Sequence, residues 1–317
     1  MGEAHGPHKK PLVTLSDLTY VSYPLVPLRG LCAFARLHGT LQYLKNKRLA
    51  AAVRDNLASA NGKLSDGELQ AKTRRFFEYS SLRNLLFMLS PKLTDEKMLK
   101  LFSVDGLDRL DRAIAAGKGV ILLASHLNSV SVFMLVIMLR RRGYDIRVAF
   151  TVEEDNWSSS RFRKLLNRMT GGRTYFEHMG AFSSHLNIRP IVRALSEGAA
   201  VLQTGDGWHS AGFVEVDFLN RRLPFTTGMI RVAQETGATV VPIFTEGTPP
   251  DRLRFKIEEP FTVPKSEPVD ASVTAFAKRL EHYLIENLEC WEHWRTPDAL
   301  ETLASVPKQT LENRYKI

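Results

Sequence analysis

The sequence predicts an α/β protein in which a mixed, largely parallel sheet is covered by helices on both faces and carries an N-terminal helical layer. From residue 100 onward, short apolar runs alternate with segments of helical periodicity, as in strands joined by helical crossovers. These runs are continuously apolar, which is typical of strands buried on both faces. Before residue 100 the spacing is helical only. We therefore predict one structural domain, with a helical region at 1–99 packed on an α/β core at 100–317.

Two helices are predicted before residue 90. In the first, from about Pro27 to Ala60, apolar residues recur at helical spacing among basic ones. The apolar set is Leu31, Phe34, Ala35, Leu41 and Leu44. The basic residues indicate either a solvated face, which is favoured, or a contact with a membrane surface. The second helix runs from Ser65 to about Leu89, because Ser65 and Glu68 have capping-box spacing and Pro91 ends the segment.

The segment from Gly119 to Leu139 contains no Asp, Glu, Lys or Arg and is long enough to span a bilayer. Its middle holds His126, Asn128 and several serines, which are costly in hydrocarbon. We therefore interpret it as a buried strand, a polar turn and a buried helix.

The other core elements follow from the same two periodicities. Helices are predicted at 108–116, 129–142, 158–169, 188–197, 226–236 and 271–288. Strands are predicted at 120–124, 146–150, near 174–177, 199–204, 238–244 and 252–257.

Composition narrows the class of protein. Of 317 residues, 44% are hydrophobic and 24% are charged, which excludes disordered, collagen-like and low-complexity chains. Lys and Arg exceed Asp and Glu by 43 to 34, for a net charge of +9, so the protein attracts polyanions. Cys32 and Cys290 are too few for a disulfide framework and fit a reducing compartment. No apolar signal segment follows Lys9 and Lys10, so we expect a cytoplasmic protein.

Two polar residues follow apolar strands at the positions where open α/β sheets bind ligands. His126 comes directly after the run VILLAS, and Asp206 comes directly after AVLQTG. An imidazole titrates near neutrality and is suited to act as a general base. The alternative for a lone histidine is a satisfied loop residue.

Several segments resemble the lysophospholipid acyltransferase superfamily, and in particular its branch of bacterial lipid A late (lauroyl and myristoyl) acyltransferases. The resemblance lies in residues 48–57, 63–69, 104–126, 204–244 and the CWEHWRT segment at 290–296. It implies a glycerolipid acyltransferase-like fold and transfer of an acyl group from an acyl-CoA or acyl-carrier-protein thioester to a hydroxyl or amine acceptor. It also implies that His126 is the base of a His-x-x-x-x-Asp/Glu motif, whose carboxylate orients the imidazole. No cofactor is implied beyond the thioester co-substrate.

The chain departs from this motif because the fifth residue after His126 is Ser131, which cannot neutralise an imidazolium. Three explanations are open. Another acid replaces the missing one, with Asp206 ranked ahead of Glu153 and Glu154; or the acceptor is an amine that needs only a weak base; or the activity is lost. The last would leave a non-catalytic lipid- or acyl-binding protein on the same fold.

Other residues are candidates for binding substrate. Asn128 and Ser129 stand where the family has a Gly-Asn pair, and Trp208 lines either the acceptor entrance or the core. Arg221 and Arg222 suit the phosphates of coenzyme A or phosphopantetheine, or else form a solvated hairpin tip. Thr226, Thr227 and Gly228 are expected to open a helix whose N–H groups hold a phosphate or an oxyanion, or simply to cap it.

The expected partners are the thioester donor and a lipid, amine or hydroxyl acceptor, which includes specialised metabolites. A peripheral contact with an anionic membrane, on its inner face, is a further expectation. No nucleic acid is expected, because the sequence contains no recognisable nucleic-acid-binding module. His178, His185 and His293 show no metal-ligand spacing, so no metal is expected.

Overall fold

The computed structural model describes residues 25–150, 188–207, 212–248 and 253–296, with Tyr23, Gly180, Phe182, Ser183 and Ala299. The helix predicted at 158–169 and the strand predicted near 174–177 lie outside these residues. So do three candidate site residues, Glu153, Glu154 and Trp208.

The N-terminal layer consists of helices α1 (Leu28–Lys45), α2 (Lys47–Ala60) and α3 (Asp66–Leu89), followed by the short α4 (Asp95–Leu99). The single helix predicted at 27–60 is therefore two. Asn46 breaks it, and its Oδ1 accepts a hydrogen bond from Leu49 N at 3.2 Å to cap α2. The predicted capping box of α3 is confirmed, since Ser65 N donates to Glu68 Oε2 at 2.8 Å and Glu68 N donates to Ser65 Oγ at 3.4 Å.

The core alternates strands and helices along the chain. Its strands are β1 (Phe102–Asp105), β2 (Val120–Ala124), β3 (Ile146–Phe150), β4 (Phe182–Ser183), β5 (Ala200–Thr204), β6 (Phe213–Phe218), β7 (Arg221–Thr226), β8 (Thr239–Glu246) and β9 (Leu253–Ile257). Its helices are α5 (Leu107–Ala115), α6 (Ser129–Arg141), α7 (Arg189–Ser196), α8 (Gly228–Thr236) and α9 (Val269–Glu286). After α9 come two 3-10 turns, Leu288–Cys290 and Glu292–Arg295.

Seven strands form one sheet in the order β1-β9-β8-β2-β5-β3-β4. Among the described strands, β8 and β9 pair antiparallel, and every other pair in this sheet is parallel. The predicted mixed, largely parallel sheet is confirmed. Strands β6 and β7 form a separate antiparallel hairpin, which turns at Leu219 and Asn220 with φ of 51° and 59°.

Both faces of the sheet are covered, as predicted. Along β2, Ile121 and Leu123 point into a core shared with α2, α7, α8 and α9. Val120, Leu122 and Ala124 point into a second core, formed with α1, α5 and α6. This alternation follows from the twofold period of a strand. Both cores contain residues from before and after residue 100.

The charge-free segment at 119–139 divides into β2, a polar loop and α6, as the sequence predicted. None of the helices in the described part of the chain is long and apolar enough to cross a bilayer.

The differences from the sequence prediction include one missed strand and one shifted helix start. β1 was not predicted, because it is an edge strand in which Phe102 and Val104 alternate with Ser103 and Asp105 instead of forming an apolar run. The helix expected to open at Thr226 begins at Gly228. Thr226 instead completes β7, where it pairs with Phe213.

Candidate active site

The register of the central strands brings His126 and Asp206 together. β2 and β5 are parallel neighbours, and their last residues, Ala124 and Thr204, lie opposite each other. His126 and Asp206 each stand two residues beyond their strand. Both side chains therefore lie at the carboxyl edge of the sheet, where open α/β sheets bind ligands.

Asp206 is a buried carboxylate with donors on both oxygens. The backbone N–H of His126 lies 2.9 Å from each oxygen, and Nδ1 of His126 lies 2.8 Å from Oδ1. Trp291 Nε1 donates to Oδ2 at 2.9 Å. Burial raises the pKa of this carboxyl, but the His126 charge and these hydrogen bonds outweigh burial and lower the pKa to about 2. Asp206 is therefore ionised at neutral pH.

The Asp206 carboxylate influences both the pKa and the tautomer of the His126 imidazole. Burial lowers the pKa of His126, but the charge and hydrogen bond of Asp206, with a contribution from Glu292, raise it above the ordinary value of 6.5. Because an ionised carboxylate only accepts hydrogen bonds, neutral His126 carries its proton on Nδ1. Nε2 is then free to accept a proton. The side chain is 30% exposed, so the ring is accessible to a bound molecule.

The 3-10 segment after α9 holds this loop in place. Asn128 N donates to Cys290 O, and Glu292 N donates to His126 O, both at 3.1 Å. His293 packs its ring against that of His126, with centroids 4.3 Å apart. Sequence reasoning from patterns missed the contributions of Trp291, Glu292 and His293. The resemblance of the CWEHWRT segment to the family was the signal that pointed to this region.

His293 is a buried, neutral histidine. Its Nε2–H donates to the backbone oxygen of Asp206 at 3.0 Å. Burial and the nearby His126 charge lower its pKa to about 4. A neutral ring beside His126 adds no second positive charge to the site.

One nitrogen or oxygen atom from each of His126, Asp206 and His293 lies within 4.8 Å of the others, which is close enough to consider a metal ion. One ring nitrogen of each histidine is already hydrogen bonded, however. Nδ1 of His126 bonds to the Asp206 carboxylate, and Nε2 of His293 bonds to a backbone oxygen. We therefore interpret the cluster as a hydrogen-bonded network. The expectation of no metal stays a prediction.

The residues after His126 have structural contacts. Asn128 is fully buried at the start of α6, where it accepts from Arg83 Nη1 at 2.9 Å and donates to Thr245 Oγ1 at 3.1 Å. Ser129 Oγ donates to Glu292 Oε2 at 2.9 Å. Ser131 is fully buried, and its hydroxyl has no hydrogen-bond partner in the described structure. Ser131 therefore does not replace the motif carboxylate.

The remaining candidates lie on the hairpin and at the start of α8. Thr226 Oγ1 donates to Gly205 O at 3.0 Å, beside Asp206. Thr227 is buried, and Gly228 begins α8. Arg221 donates to Ser59 Oγ of α2. Arg222 is exposed and lies 3.8 Å from Asp217 and 3.9 Å from Glu215, two acids of its own hairpin. The structure thus places both arginines near the hairpin turn.

The lowered pKa of His293 predicts how the free energy of unfolding depends on pH. The imidazole of His293 is protonated near pH 6.5 in the unfolded chain and only near pH 4 in the folded chain. The stability that depends on its neutral form is therefore fully present above pH 6.5 and is lost as pH falls toward 4. The shift is worth about 3 kcal/mol. We expect the free energy of unfolding of His293→Gln to fall less steeply between these values than that of wild type, as measured by urea denaturation.

The exposed His282 provides the matched control, and His282→Gln should keep the wild-type slope. The raised pKa of His126 changes the free energy of unfolding only above pH 6.5, where stability falls as pH rises. It therefore does not affect the slope between pH 4 and pH 6.5. Equal slopes for His293→Gln and wild type would contradict the assignment of a buried neutral ring.

The fold and the site define an α/β protein with a histidine–aspartate pair at the carboxyl edge of its sheet. The chain belongs to the bacterial lipid A biosynthesis acyltransferase family, whose model matches residues 19–295. This membership confirms the family indicated by the sequence, and it is a family of acyltransferases in lipid biosynthesis. No curated protein matches the chain.

Proposed function

We propose that the protein transfers an acyl group from an acyl-CoA or acyl-carrier-protein thioester to a hydroxyl or amine of a lipid or lipid-like acceptor, with His126 as general base. The single observation that carries this proposal is the 2.8 Å contact between His126 Nδ1 and Asp206 Oδ1. It supplies the carboxylate that Ser131 lacks. This contact supports the first of the three explanations for Ser131, in which another acid replaces the missing one.

The geometry supports one sequence of proton transfers. His126 Nε2 takes the proton of the acceptor O–H or N–H while the acceptor oxygen or nitrogen attacks the thioester carbonyl carbon. Asp206 stabilises the imidazolium that forms, as the acid of a Ser-His-Asp triad does. The tetrahedral intermediate then expels the thiolate, which takes the proton from Nε2. An ester or amide and a free thiol result.

The test of this function is thiol release from purified protein supplied with acyl-CoA and acyl-carrier-protein donors of several chain lengths, together with a cellular lipid extract as acceptor. Mass spectrometry of the extract then identifies the acylated product. Acyl-chain binding without thiol release from any donor would favour the non-catalytic alternative instead.

We also propose a peripheral membrane contact through α1. The helix buries Leu31, Cys32 and Ala35 and leaves an opposite apolar stripe exposed. The stripe consists of Phe34, Leu37, Leu41 and Leu44, which recur at intervals of three and four residues. Exposed basic residues flank it at Arg29, Lys45, Lys47 and Arg48. An apolar stripe with basic flanks suits the surface of an anionic bilayer.

This contact predicts that Leu37→Asp/Leu41→Asp weakens binding to vesicles of phosphatidylglycerol and phosphatidylcholine by about tenfold or more, because each leucine contributes about 1.5–3 kcal/mol when fully buried. Cosedimentation measures the effect. Ile285→Asp, at an exposed apolar residue of α9, is the control and should bind as wild type. Undiminished binding of the double variant would remove α1 as the contact surface.

A further inference from the structure

A cavity of about 260 Å³ lies beside the loop that carries His126. It is lined by Ser80, Arg83, Asn84, Val130, Glu292 and Arg295. Glu292 connects it to the site, because its N–H donates to His126 O. Pockets that enclose whole drug-sized ligands measure about 300–1,000 Å³. This smaller cavity with polar walls suits one polar group of a substrate rather than the whole molecule.

Arg83 places a buried positive charge in the cavity wall. Its side chain, from α3, is 1% exposed. Its guanidinium donates to two neutral oxygens, Asn128 Oδ1 at 2.9 Å and Ser80 Oγ at 3.4 Å. Among the described residues, the nearest carboxylate oxygen is Glu292 Oε1, 3.9 Å from Nε. These contacts orient the guanidinium, and a buried charge of this kind favours a further anionic partner.

Glu292 only partly neutralises this charge. Its carboxylate accepts from Ser129 Oγ at 2.9 Å and from Val130 N at 3.4 Å. It is thus fixed to the first turn of α6, with Arg83 at the edge of ion-pair distance.

Arg295 brings the second guanidinium. It lies 5.5 Å above the ring of Phe76, a contact that positions the group without neutralising it. None of the ion pairs among the described residues involves Arg295. Arg295 is exposed as a residue, but partial burial of its guanidinium and the closeness of Arg83 lower its pKa, although Glu292 acts in the opposite direction. With two guanidinium groups and one carboxylate, the cavity carries a net positive charge.

We propose that this cavity is a subsite for an oxyanion, a phosphate or carboxylate group on one of the two substrates, which Arg83 and Arg295 bind so as to place that substrate against His126. Guanidinium groups are suited to this because their planar N–H donors match the oxygens of phosphate and carboxylate. The oxyanion belongs either to the acceptor or to the phosphopantetheine arm of the donor. The assignment to a substrate rests on the proposed function, whereas anion binding does not.

The first experiment measures binding of inorganic phosphate and pyrophosphate by calorimetry, without turnover. We expect Arg295→Gln to weaken binding about tenfold or more, since a hydrogen bond to a charged group is worth about 1.5–3 kcal/mol. Arg295→Lys should retain part of the affinity, and Arg254→Gln, an exposed arginine of β9, all of it. Absent binding in wild type, or equal binding in Arg295→Gln, would overturn the proposal.

A second variant is expected to strengthen anion binding. Glu292→Gln removes the negative charge of the cavity while keeping an oxygen for Ser129, so it should tighten anion binding by about threefold, the scale of a partly exposed charge pair. Damage to the fold would weaken binding, so it cannot produce this result. Weaker binding in Glu292→Gln would count against the charge assignment.

Steady-state kinetics then identify the source of the oxyanion. If the acceptor carries it, Arg295→Gln raises the KM of a phosphorylated acceptor but not that of its dephosphorylated form. If the donor carries it, Arg295→Gln raises the KM of acyl-CoA but not that of an acyl-pantetheine without phosphates. No KM change in either arm would reject the substrate assignment. Anion binding that depends on Arg295 in a protein without thiol release would instead reject the proposed function alone.

Discussion

His126→Ala is expected to lower kcat/KM for acyl transfer by about 10²–10⁴-fold, because a positioned general base contributes a factor of this size. The effect follows from the free Nε2 of His126, the atom proposed to take the acceptor proton. Thiol release with a saturating donor measures it. The melting temperature should also fall, because the buried Asp206 carboxylate loses the charge and the Nδ1 hydrogen bond of His126, so thiol release is measured well below the melting temperature of the variant.

His282→Ala is the matched control for this variant. It removes an exposed imidazole from α9 and should leave thiol release at the wild-type rate. Wild-type turnover in His126→Ala would eliminate His126 as the base, and the acyltransferase assignment would then need another catalytic group.

Asp206→Asn is expected to lower kcat by up to about 10⁴-fold, the cost of replacing the orienting carboxylate in a Ser-His-Asp triad. An amide does not stabilise the imidazolium, and its NH₂ group can turn the neutral ring to the wrong tautomer. The pH profile changes as well. Since the base works unprotonated, activity falls as pH drops through the pKa of His126, which Asp206 raises above 6.5. In Asp206→Asn this acidic limb should move to lower pH.

The stability of Asp206→Asn separates an electrostatic role from general damage. The pKa of Asp206 is lowered to about 2, so its stabilising contribution is present above about pH 4 and is lost as pH falls toward 2. The difference in unfolding free energy between wild type and variant should narrow over that range. Asp217→Asn, at an exposed acid of the hairpin, is the control. An unmoved acidic limb in Asp206→Asn would contradict the proposed coupling of Asp206 to His126.

Much of the fold was predictable because its signals are local. The continuous apolar run of β2 and the mostly apolar runs of β3 and β5 predicted strands, and the Ser65–Glu68 spacing predicted the start of α3. Local signals fail where a strand is half-exposed or where a single residue determines whether a helix continues. The alternating edge strand β1 was missed, and so was the break at Asn46 between α1 and α2.

For the site, the sequence by itself determined which imidazole and which acid follow neighbouring apolar strands, and it showed that Ser131 breaks the family motif. Only the tertiary structure decided that Asp206 contacts His126 Nδ1, because that contact depends on the register of β2 against β5. The same holds for Trp291, Glu292 and His293, which reach the site by pairing with the His126 loop. Strand periodicity is read from adjacent residues, whereas a contact between distant segments depends on how the whole chain packs.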